Sequence, residues 1–178
     1  MIYNLKTEKW VECYYRKVDT NEVGEYVPPR WVFNFIEEHE EGYEIFVIET
    51  EEYPGIAQGI VALKANKDEY TVHLKSVETA DFNKYYLRGK KNNGINYDRV
   101  YKGIGFNLVS FACQYSLDQG CDGYMYLKSK TDTIPFYTSE NLGGKQLSEG
   151  SQTIVFDEPA GQRLASKIFP GGAIQWLK

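Results

Sequence analysis

The chain has 178 residues, which suits one domain with a sizeable core and leaves little room for a second. With 42% hydrophobic and 25% charged residues, the composition is that of an ordinary soluble globular protein. The net charge of −5 argues against a general nucleic-acid binder, and no apolar run approaches the roughly 20 residues of a membrane span. We therefore expect a single domain, residues 1–178, with neither nucleic-acid nor membrane partners.

The N-terminus and the cysteines indicate the compartment. The opening segment MIYNLKTEKW has no apolar core of the kind that a signal peptide needs. Cys13, Cys113 and Cys121 are an odd number of cysteines at no metal-like spacing, and reduced thiols explain them most simply. These features predict a cytoplasmic protein that binds no metal.

The first 42 residues carry mixed signals. Residues 10–18, WVECYYRKV, predict a strand, although the alternation is imperfect. In the following segment, VPPRWVFNFIEEHEEG, Pro29 can open a helix whose acidic end stops at Gly42. The stretch WVFNF inside it alternates as a strand does, so both interpretations stay open.

Three β-rich runs follow one another in the next part of the chain. They are YEIFVIE (43–49), GIAQGIVALK (55–64) and YTVHLKSVE (70–78), and their short connections predict an antiparallel meander. Residues 79–101 show no sustained period and are rich in Asn and Gly. We predict a long loop there, and long loops inside compact domains tend to be functional or mobile.

The second half of the chain alternates helices and strands. From Gly105 the sequence FNLVSFACQYSLDQG predicts a helix with a wide apolar arc, buried against a sheet and capped by Gly120. The remaining elements are a strand at 123–130, a short helix ending at Gly143 or Gly144, a strand at 151–156 and a final helix with Pro159 in its first turn. This order predicts an α/β (mixed α+β) fold.

The turn Gly103-Ile104-Gly105 precedes the long predicted helix. Glycines permit a tight turn, and the first N–H groups of a helix attract an anion, so the segment can cradle a phosphate or be a plain connection. A P-loop requires Lys-Ser/Thr after its last glycine, where this chain has Phe106-Asn107. A dinucleotide fingerprint requires a third glycine, where this chain has Leu108. Coenzyme A remains as a third possible ligand.

At this point the chain resembles the GNAT superfamily of acyl-CoA-dependent N-acetyltransferases. The residues that carry the resemblance are VYKGIG (100–105), the helix after it, GYMYLKSK (123–130) and PFYTSENLGGK (135–145). It covers about residues 43 to 156 and extends to the late VFDEPAGQRLASKIF. The resemblance implies a central twisted, mostly antiparallel sheet with helices on both faces, splayed between its fourth and fifth strands.

The resemblance also implies a set of residues for acetyl-CoA as co-substrate. They are Val77, Val100, Lys102, Gly103, Ile104, Gly105, Phe106, Asn107 and Ser129. The Val77 amide falls where the splay is expected and would bond the thioester carbonyl. Val100 stands where the family has Gln or Arg, which leaves only main-chain contacts there. The loop cations Lys84, Arg88, Lys90, Lys91 and Lys102 either reach the phosphates or form a solvated cluster.

For catalysis, Tyr137 occupies the place of the family tyrosine and would be the general acid that protonates the thiolate. The alternative is a core tyrosine beside Phe136. Glu78, at the end of the strand 70–78, is the candidate general base, and an exposed strand-end carboxylate is the alternative. Asp81 and Asn83 are candidates for binding the substrate.

The resemblance therefore predicts direct transfer of an acetyl group from acetyl-CoA to an amine in a ternary complex. The acceptor is a small-molecule or protein amine that the sequence does not identify. A non-catalytic acyl-CoA-binding or regulatory module on the same fold is the alternative. The oligomeric state is open, and a homodimer is compatible with the sequence.

Overall fold

The computed structural model describes residues 1–87 and 94–172, together with Ile174 and Trp176. Arg88, Lys90 and Lys91 of the predicted cation cluster lie outside the described residues. The chain divides into two compact units. The first comprises Met1–Ala62, Val77–Leu108 and Gln175–Lys178, and the second comprises Leu63–Ser76 and Val109–Ile174. The expectation of one domain stays a prediction.

The described residues include ten strands and four α-helices. The strands are β1 Ile2–Asn4, β2 Lys9–Val11, β3 Cys13–Lys17, β4 Glu44–Thr50, β5 Gly59–Asn66, β6 Thr71–Thr79, β7 Tyr101–Lys102, β8 Met125–Lys128, β9 Lys145–Gln146 and β10 Thr153–Phe156. The helices are α1 Phe35–Glu40, α2 Ile104–Asp118, α3 Ile134–Tyr137 and α4 Glu158–Ile168. Short 3₁₀ turns occur at Val23–Glu25, Asp81–Asn83 and Thr131–Thr133.

Seven strands form a sheet in the order β3-β4-β5-β6-β8-β10-β9, and three form a second sheet in the order β2-β1-β7. The pairs β3–β4, β8–β10 and β9–β10 are antiparallel, whereas β6 and β8 are parallel. A mixed sheet with helices confirms the predicted α/β class. The three central strands β4, β5 and β6 confirm the three β-rich runs.

The register between β6 and β8 is short. It runs from Val72 opposite Met125 to Leu74 opposite Leu127. Strand β6 continues to Thr79, so within the described residues its last five positions are not registered with β8.

The core of the first unit is built on β4 and β5. Every residue from Ile45 to Thr50 is buried, as is every residue from Gly59 to Leu63. A strand that is buried on both faces reads as a continuous apolar run rather than an alternating one. Trp31 and Phe35 pack into the same cluster as Ile45 and Ile60.

Helix α2 is also buried on all sides, from Asn107 to Ser116. A helix that is apolar around most of its circumference belongs in an interior. After the helix ends at Asp118, Gly120 adopts a φ of +76°, as the predicted C-cap requires. The prediction of a long buried helix is therefore confirmed.

Two predictions for the first 42 residues are wrong in their boundaries. The run 10–18 contains two strands, β2 and β3, and the helix after Pro29 begins only at Phe35. The reason lies in the backbone N–H groups of Val32 and Phe33, which donate to the carboxylate of Glu78. Amides held by a distant side chain give this segment an alternative to helical pairing.

Among the residues that the structure describes, no helix is both long enough and apolar enough to cross a membrane. The same residues contain no cluster of three or more His, Cys, Asp and Glu side chains with the geometry of a metal site. Cys13, Cys113 and Cys121 are free and buried.

Candidate active site

The glycine turn is formed where β7 passes into α2. Gly103 has a φ of +97°, a conformation that glycine adopts without the steric cost that a Cβ brings. A Cβ built on Gly103 would meet nothing closer than the Asn107 Nδ2 at 3.8 Å, so the space beside the turn is open. The turn therefore offers a concave backbone surface next to the first N–H groups of a 15-residue helix.

Asn107 stabilises the first turn of the helix through hydrogen bonds to the Gly103 carbonyl. Its backbone N–H and its side-chain Nδ2 both donate to the Gly103 carbonyl, at 3.0 and 2.9 Å. Its own carbonyl accepts a bond of 3.3 Å from the buried hydroxyl of Tyr15. With the Gly103 carbonyl bonded twice, the turn is held in one conformation before any ligand arrives.

Strand β7 is held in place from two directions. It pairs with β1, where Tyr3 lies opposite Lys102, and the Leu5 N–H donates to the Val100 carbonyl at 2.8 Å. The Tyr101 N–H donates to the Asn83 Oδ1 at 2.9 Å. The approach to the turn is thus fixed by a strand from the start of the chain and by the predicted loop.

The start of α2 packs against Gly59 of β5, beside the end of β6. A Cβ on Gly59 would lie 2.6 Å from the Ile104 Cγ2, 2.9 Å from Leu108 and 3.1 Å from the Glu78 carbonyl. Only glycine at position 59 permits this approach, since real Cβ contacts are not that short. The structure therefore brings the glycine turn close to the end of β6, and the coenzyme site at this place stays a prediction.

Solved structures with a similar fold are known. One is AtaTR bound with AcCoA, which is 12% identical over 86% of this chain and 98% of that chain, with a TM-score of 0.55. Another is an acetyltransferase of the GNAT family from Staphylococcus aureus Mu50, which is 13% identical over 83% of this chain and 99% of that chain, with a TM-score of 0.51. The chain has the GNAT fold. No protein-family model and no curated protein sequence matches it.

A third similar structure is AtaT complexed with acetyl-methionyl-tRNAfMet, which is 12% identical over 86% of this chain and 99% of that chain, with a TM-score of 0.54.

In the GNAT fold of this chain, β6 and β8 hold the fourth and fifth positions of the seven-stranded sheet. Their register stops at Leu74, three positions before Val77. The Val77 amide as the donor to the thioester carbonyl stays a prediction.

Glu78 has a different setting from the one predicted for a general base. Its side chain is 4% exposed, and its carboxylate accepts from Val32 N at 2.9 and 3.0 Å, from Phe33 N at 3.3 Å and from Lys84 Nζ at 2.8 Å. An incoming ammonium would have to displace these donors before giving up a proton. These contacts make Glu78 a residue that holds the segment 31–33, and its role as general base stays a prediction.

We expect Glu78→Gln to destabilise the protein by about 2 kcal/mol, because a neutral amide loses the ion pair with Lys84 and its NH₂ group cannot accept from the N–H donors that face it. Urea unfolding followed by circular dichroism measures the change. Glu40→Gln, at an exposed position of α1, is the matched control and should change the free energy of unfolding by less than about 0.5 kcal/mol. Equal stabilities for the two variants would contradict this assignment.

The two candidate substrate ligands are also engaged within the protein. Asp81 accepts from the Lys84 Nζ at 2.6 Å. Asn83 is 3% exposed and bonds Gln58 with its Nδ2 and Tyr101 N–H with its Oδ1. Asn83 thus connects β7 to the residue that precedes β5, and a substrate contact of Asp81 or Asn83 stays a prediction.

The two described cations of the predicted cluster, Lys84 and Lys102, differ in whether a carboxylate of the described residues pairs with them. Lys84 pairs with Glu78 and Asp81, so its charge is balanced inside the first unit. Lys102 is exposed, with its Nζ 5.9 Å from the centre of the Tyr3 ring. Of the two, Lys102 keeps the prediction of a phosphate contact, because it lies next to Gly103.

Tyr137 and Ser129 belong to the second unit. Tyr137 ends α3 and is 8% exposed, with its ring 5.1 Å from that of Phe136 in an edge-to-face contact. Burial raises the pKa of its phenol to about 12. Ser129 donates its N–H to the Gln152 carbonyl, and its hydroxyl bonds the Lys130 carbonyl at 2.8 Å. Those bonds hold the connection after β8, and a coenzyme contact of Ser129 stays a prediction.

Sequence reasoning missed Tyr101 and Glu52. The Tyr101 hydroxyl donates to the Glu52 Oε2 at 2.5 Å, and the Asn4 Nδ2 donates to the same oxygen at 2.8 Å. Burial and the Glu52 carboxylate raise the pKa of the Tyr101 phenol. These residues come from three distant parts of the chain, and no local pattern of the sequence signals that they meet.

Proposed function

We propose that the protein is an acetyl-CoA-dependent N-acetyltransferase. The observation that carries the proposal is the glycine turn at the start of α2, packed beside the end of β6 in a GNAT fold. Its coarser part, acetyl transfer from acetyl-CoA, is supported by similar folds solved with acetyl-CoA. The finer part, transfer to nitrogen, rests on the resemblance of the sequence.

The residues of the turn suit the diphosphate of the coenzyme. The backbone amides of Ile104 and Gly105 and the amide of Phe106 belong to the first turn of α2, where helix geometry directs N–H groups out of the helix. The open space beside Gly103 is where a Cβ would stand and where an anion can approach the backbone. Lys102 would add a positive charge at the same place, and Val100 would contribute main chain only.

The reaction needs an activated acetyl group, which the coenzyme supplies. The amine nitrogen attacks the thioester carbonyl carbon, the C–S bond breaks, and the sulfur takes its proton from the Tyr137 hydroxyl. The ammonium proton passes to water, and the Tyr137 oxygen is reprotonated from solvent. The Val77 amide would donate to the carbonyl oxygen as negative charge develops there.

Direct transfer is favoured over a covalent cysteine intermediate. A nucleophilic cysteine needs thiolate character, which a lowered pKa provides. Here burial raises the pKa of Cys13, Cys113 and Cys121, that of Cys113 to about 12. All three therefore stay protonated near neutral pH.

The acceptor is an amine, and the test panel should include both small and macromolecular amines. AtaT has been solved with acetyl-methionyl-tRNAfMet, so an aminoacyl-tRNA belongs on the panel beside polyamines and peptides. The net charge of −5 favours a small cationic amine over a polyanion. We keep the prediction that nucleic acid is not a partner, and cytoplasmic location also stays a prediction.

The test is calorimetric titration with acetyl-CoA, followed by a thiol-release assay over the panel of amines. Binding with acetyl transfer to at least one amine supports the proposal. Binding without transfer to any amine supports the second candidate, a non-catalytic acyl-CoA-binding module, which the engaged carboxylate of Glu78 favours. The absence of binding contradicts both.

The glycine turn can be tested by one substitution. We expect Gly103→Ala to weaken acetyl-CoA binding about tenfold, because the new Cβ occupies the approach to the amides and strains a positive φ. Gly150→Ala is the matched control, since Gly150 has a φ of +75° and no atom near its Cβ position. Both variants should lose about 1 kcal/mol of stability, and only Gly103→Ala should lose affinity in the titration. A control with the same loss of affinity would contradict the cradle.

A further inference from the structure

The first unit contains an apolar pocket, and of the predicted site residues only Val100 lines it. Its volume is about 240 Å³, and its lining residues are Tyr53, Ile56, Gln58, Phe82, Val100 and Tyr101. Ligand pockets for drug-sized molecules run to roughly 300–1,000 Å³, so this one suits a group of side-chain size.

The floor of the pocket is rigid. Tyr101 is 1% exposed and is fixed at both ends, through its N–H to Asn83 and through its hydroxyl to Glu52. Gln58 is also 1% exposed, and its Nε2 donates to the Ile56 carbonyl while its Oε1 accepts from Asn83. Because these polar atoms are satisfied within the protein, the floor presents carbon to a ligand.

The rim of the pocket is apolar and open. Tyr53, Ile56 and Phe82 are 47%, 41% and 42% exposed, which is unusual for large apolar side chains grouped around a concavity. The rings of Tyr53 and Tyr101 meet edge to face at 6.4 Å. Apolar walls of this kind favour a compact hydrocarbon or an aromatic ring.

The pocket also lies against both segments of the proposed coenzyme site. Val100 and Tyr101 line it and directly precede Lys102 and the glycine turn. The Gln58 carbonyl accepts from the Ala80 N–H at 3.0 Å, two residues after Glu78. A group in the pocket would therefore sit beside the end of β6.

A carboxylate accompanies the apolar surface. Glu52 is exposed, precedes Tyr53 in the chain and accepts a hydrogen bond of 2.5 Å from the Tyr101 hydroxyl. An apolar cavity with a carboxylate bonded to the hydroxyl of one lining residue, Tyr101, matches a cation attached to a hydrophobic group. It does not match a neutral polar ligand, which would leave its hydrogen-bonding groups unpaired.

We propose that this pocket binds the apolar side group of the acceptor amine and that Glu52 attracts its ammonium group. The acceptor class is thus a primary amine carrying a phenyl-sized or leucyl-sized hydrophobic group. The identification of the bound amine as the acceptor rests on the proposed function. The binding itself can be measured without any turnover.

The experiment titrates the full chain with three probes, 2-phenylethylamine, ethylamine and 2-phenylethanol. We expect 2-phenylethylamine to bind more than roughly tenfold tighter than ethylamine, because the ring is removed from water. Ile56→Trp should abolish this preference by filling the pocket from its exposed rim. Leu147→Trp, which adds the same bulk at a position 68% exposed in the second unit, should leave it unchanged.

A second variant separates charge from shape. Glu52→Gln retains an oxygen that can accept from Tyr101 and Asn4 but loses the negative charge. It should weaken 2-phenylethylamine roughly fivefold, in the range of a solvent-exposed ion pair, and leave 2-phenylethanol unchanged.

The outcomes are distinct. Equal affinities for 2-phenylethylamine and ethylamine would overturn the inference. So would a loss of acetyl-CoA affinity in Ile56→Trp with probe binding intact, because the pocket would then hold part of the coenzyme. If the probe binds as expected but no amine of the panel is acetylated, the amine site stands and the proposed enzymatic function fails.

Discussion

Replacement of Tyr137 by phenylalanine is expected to lower kcat for acetyl transfer about 100-fold, the usual size of a general-acid contribution, while acetyl-CoA affinity stays within about twofold. The ring is 8% exposed and packs on Phe136, and phenylalanine preserves that packing. What is lost is the hydroxyl that would protonate the leaving sulfur. Steady-state thiol release gives kcat, and calorimetric titration gives the affinity.

The pH dependence provides a second test of Tyr137. Burial raises the pKa of its phenol to about 12, so the protonated form that can donate is present throughout the neutral range and is lost only as pH rises toward 12. The rate of the unmodified protein should therefore show no decline from this group between pH 6 and about pH 10.

Tyr70→Phe is the matched control for Tyr137→Phe, since Tyr70 is a tyrosine of the second unit that is 51% exposed. It should leave kcat unchanged within about twofold. An equal fall in kcat for both variants, or a fall in coenzyme affinity for Tyr137→Phe, would remove Tyr137 from the role of acid. Unchanged kcat in Tyr137→Phe would do the same.

Replacement of Gly161 by alanine is expected to destabilise the second unit by about 3 kcal/mol, because the new methyl group overpacks a backbone contact. Its Cβ would lie 2.1 Å from the Gly123 carbonyl oxygen and 2.7 Å from the carbonyl carbon. Helix α4 thus packs against the turn before β8 through two glycines, and neither partner is a flexible side chain. Gly123 has a φ of +88°, so the turn cannot relax freely.

Urea unfolding measures this change, and the melting temperature should fall by roughly 8 °C for a chain of this size. Gly24→Ala is the control, because Gly24 has no atom within 4 Å of its Cβ position and no positive φ. Its free energy of unfolding should change by less than about 0.5 kcal/mol. A Gly161→Ala protein as stable as this control would show that α4 does not rest on Gly123.

The sequence was sufficient to predict the elements whose signal is local. Strands β4, β5 and β6 are apolar runs bounded by turn-forming residues, and α2 is an apolar segment with glycine at each end. In each case the burial pattern follows from the residues of the element itself. The glycine turn could also be predicted, because positive φ at Gly103 is a property of one residue type.

Elements that depend on distant partners could not be predicted. Strand β7 has two residues, and it is a strand only because β1 lies beside it. Helix α1 begins at Phe35 rather than near Pro29 because the Glu78 carboxylate holds the amides before it. Such long-range hydrogen bonds leave no periodic trace in the sequence around them.

The candidate site divides in the same way. The backbone of the turn was predictable, whereas the hydrogen-bond partners of Glu78 and Asn83 were not, since these partners come from distant parts of the chain. A carboxylate at the end of a strand has the same sequence signal whether it accepts a substrate proton or three protein donors. The pocket beside Tyr101 assembles from three segments, and no one of them indicates it.

The pairing of β1 with β7 also bears on synthesis of the chain. Tyr3 and Lys102 lie about a hundred residues apart in the sequence. During synthesis on the ribosome, β1 therefore cannot pair with β7 until most of the first unit has emerged. Until then its edge is unpaired, and the backbone that would grip the coenzyme has no fixed approach. The proposed coenzyme site is therefore expected to form late during synthesis of the chain, even if the central strands fold early.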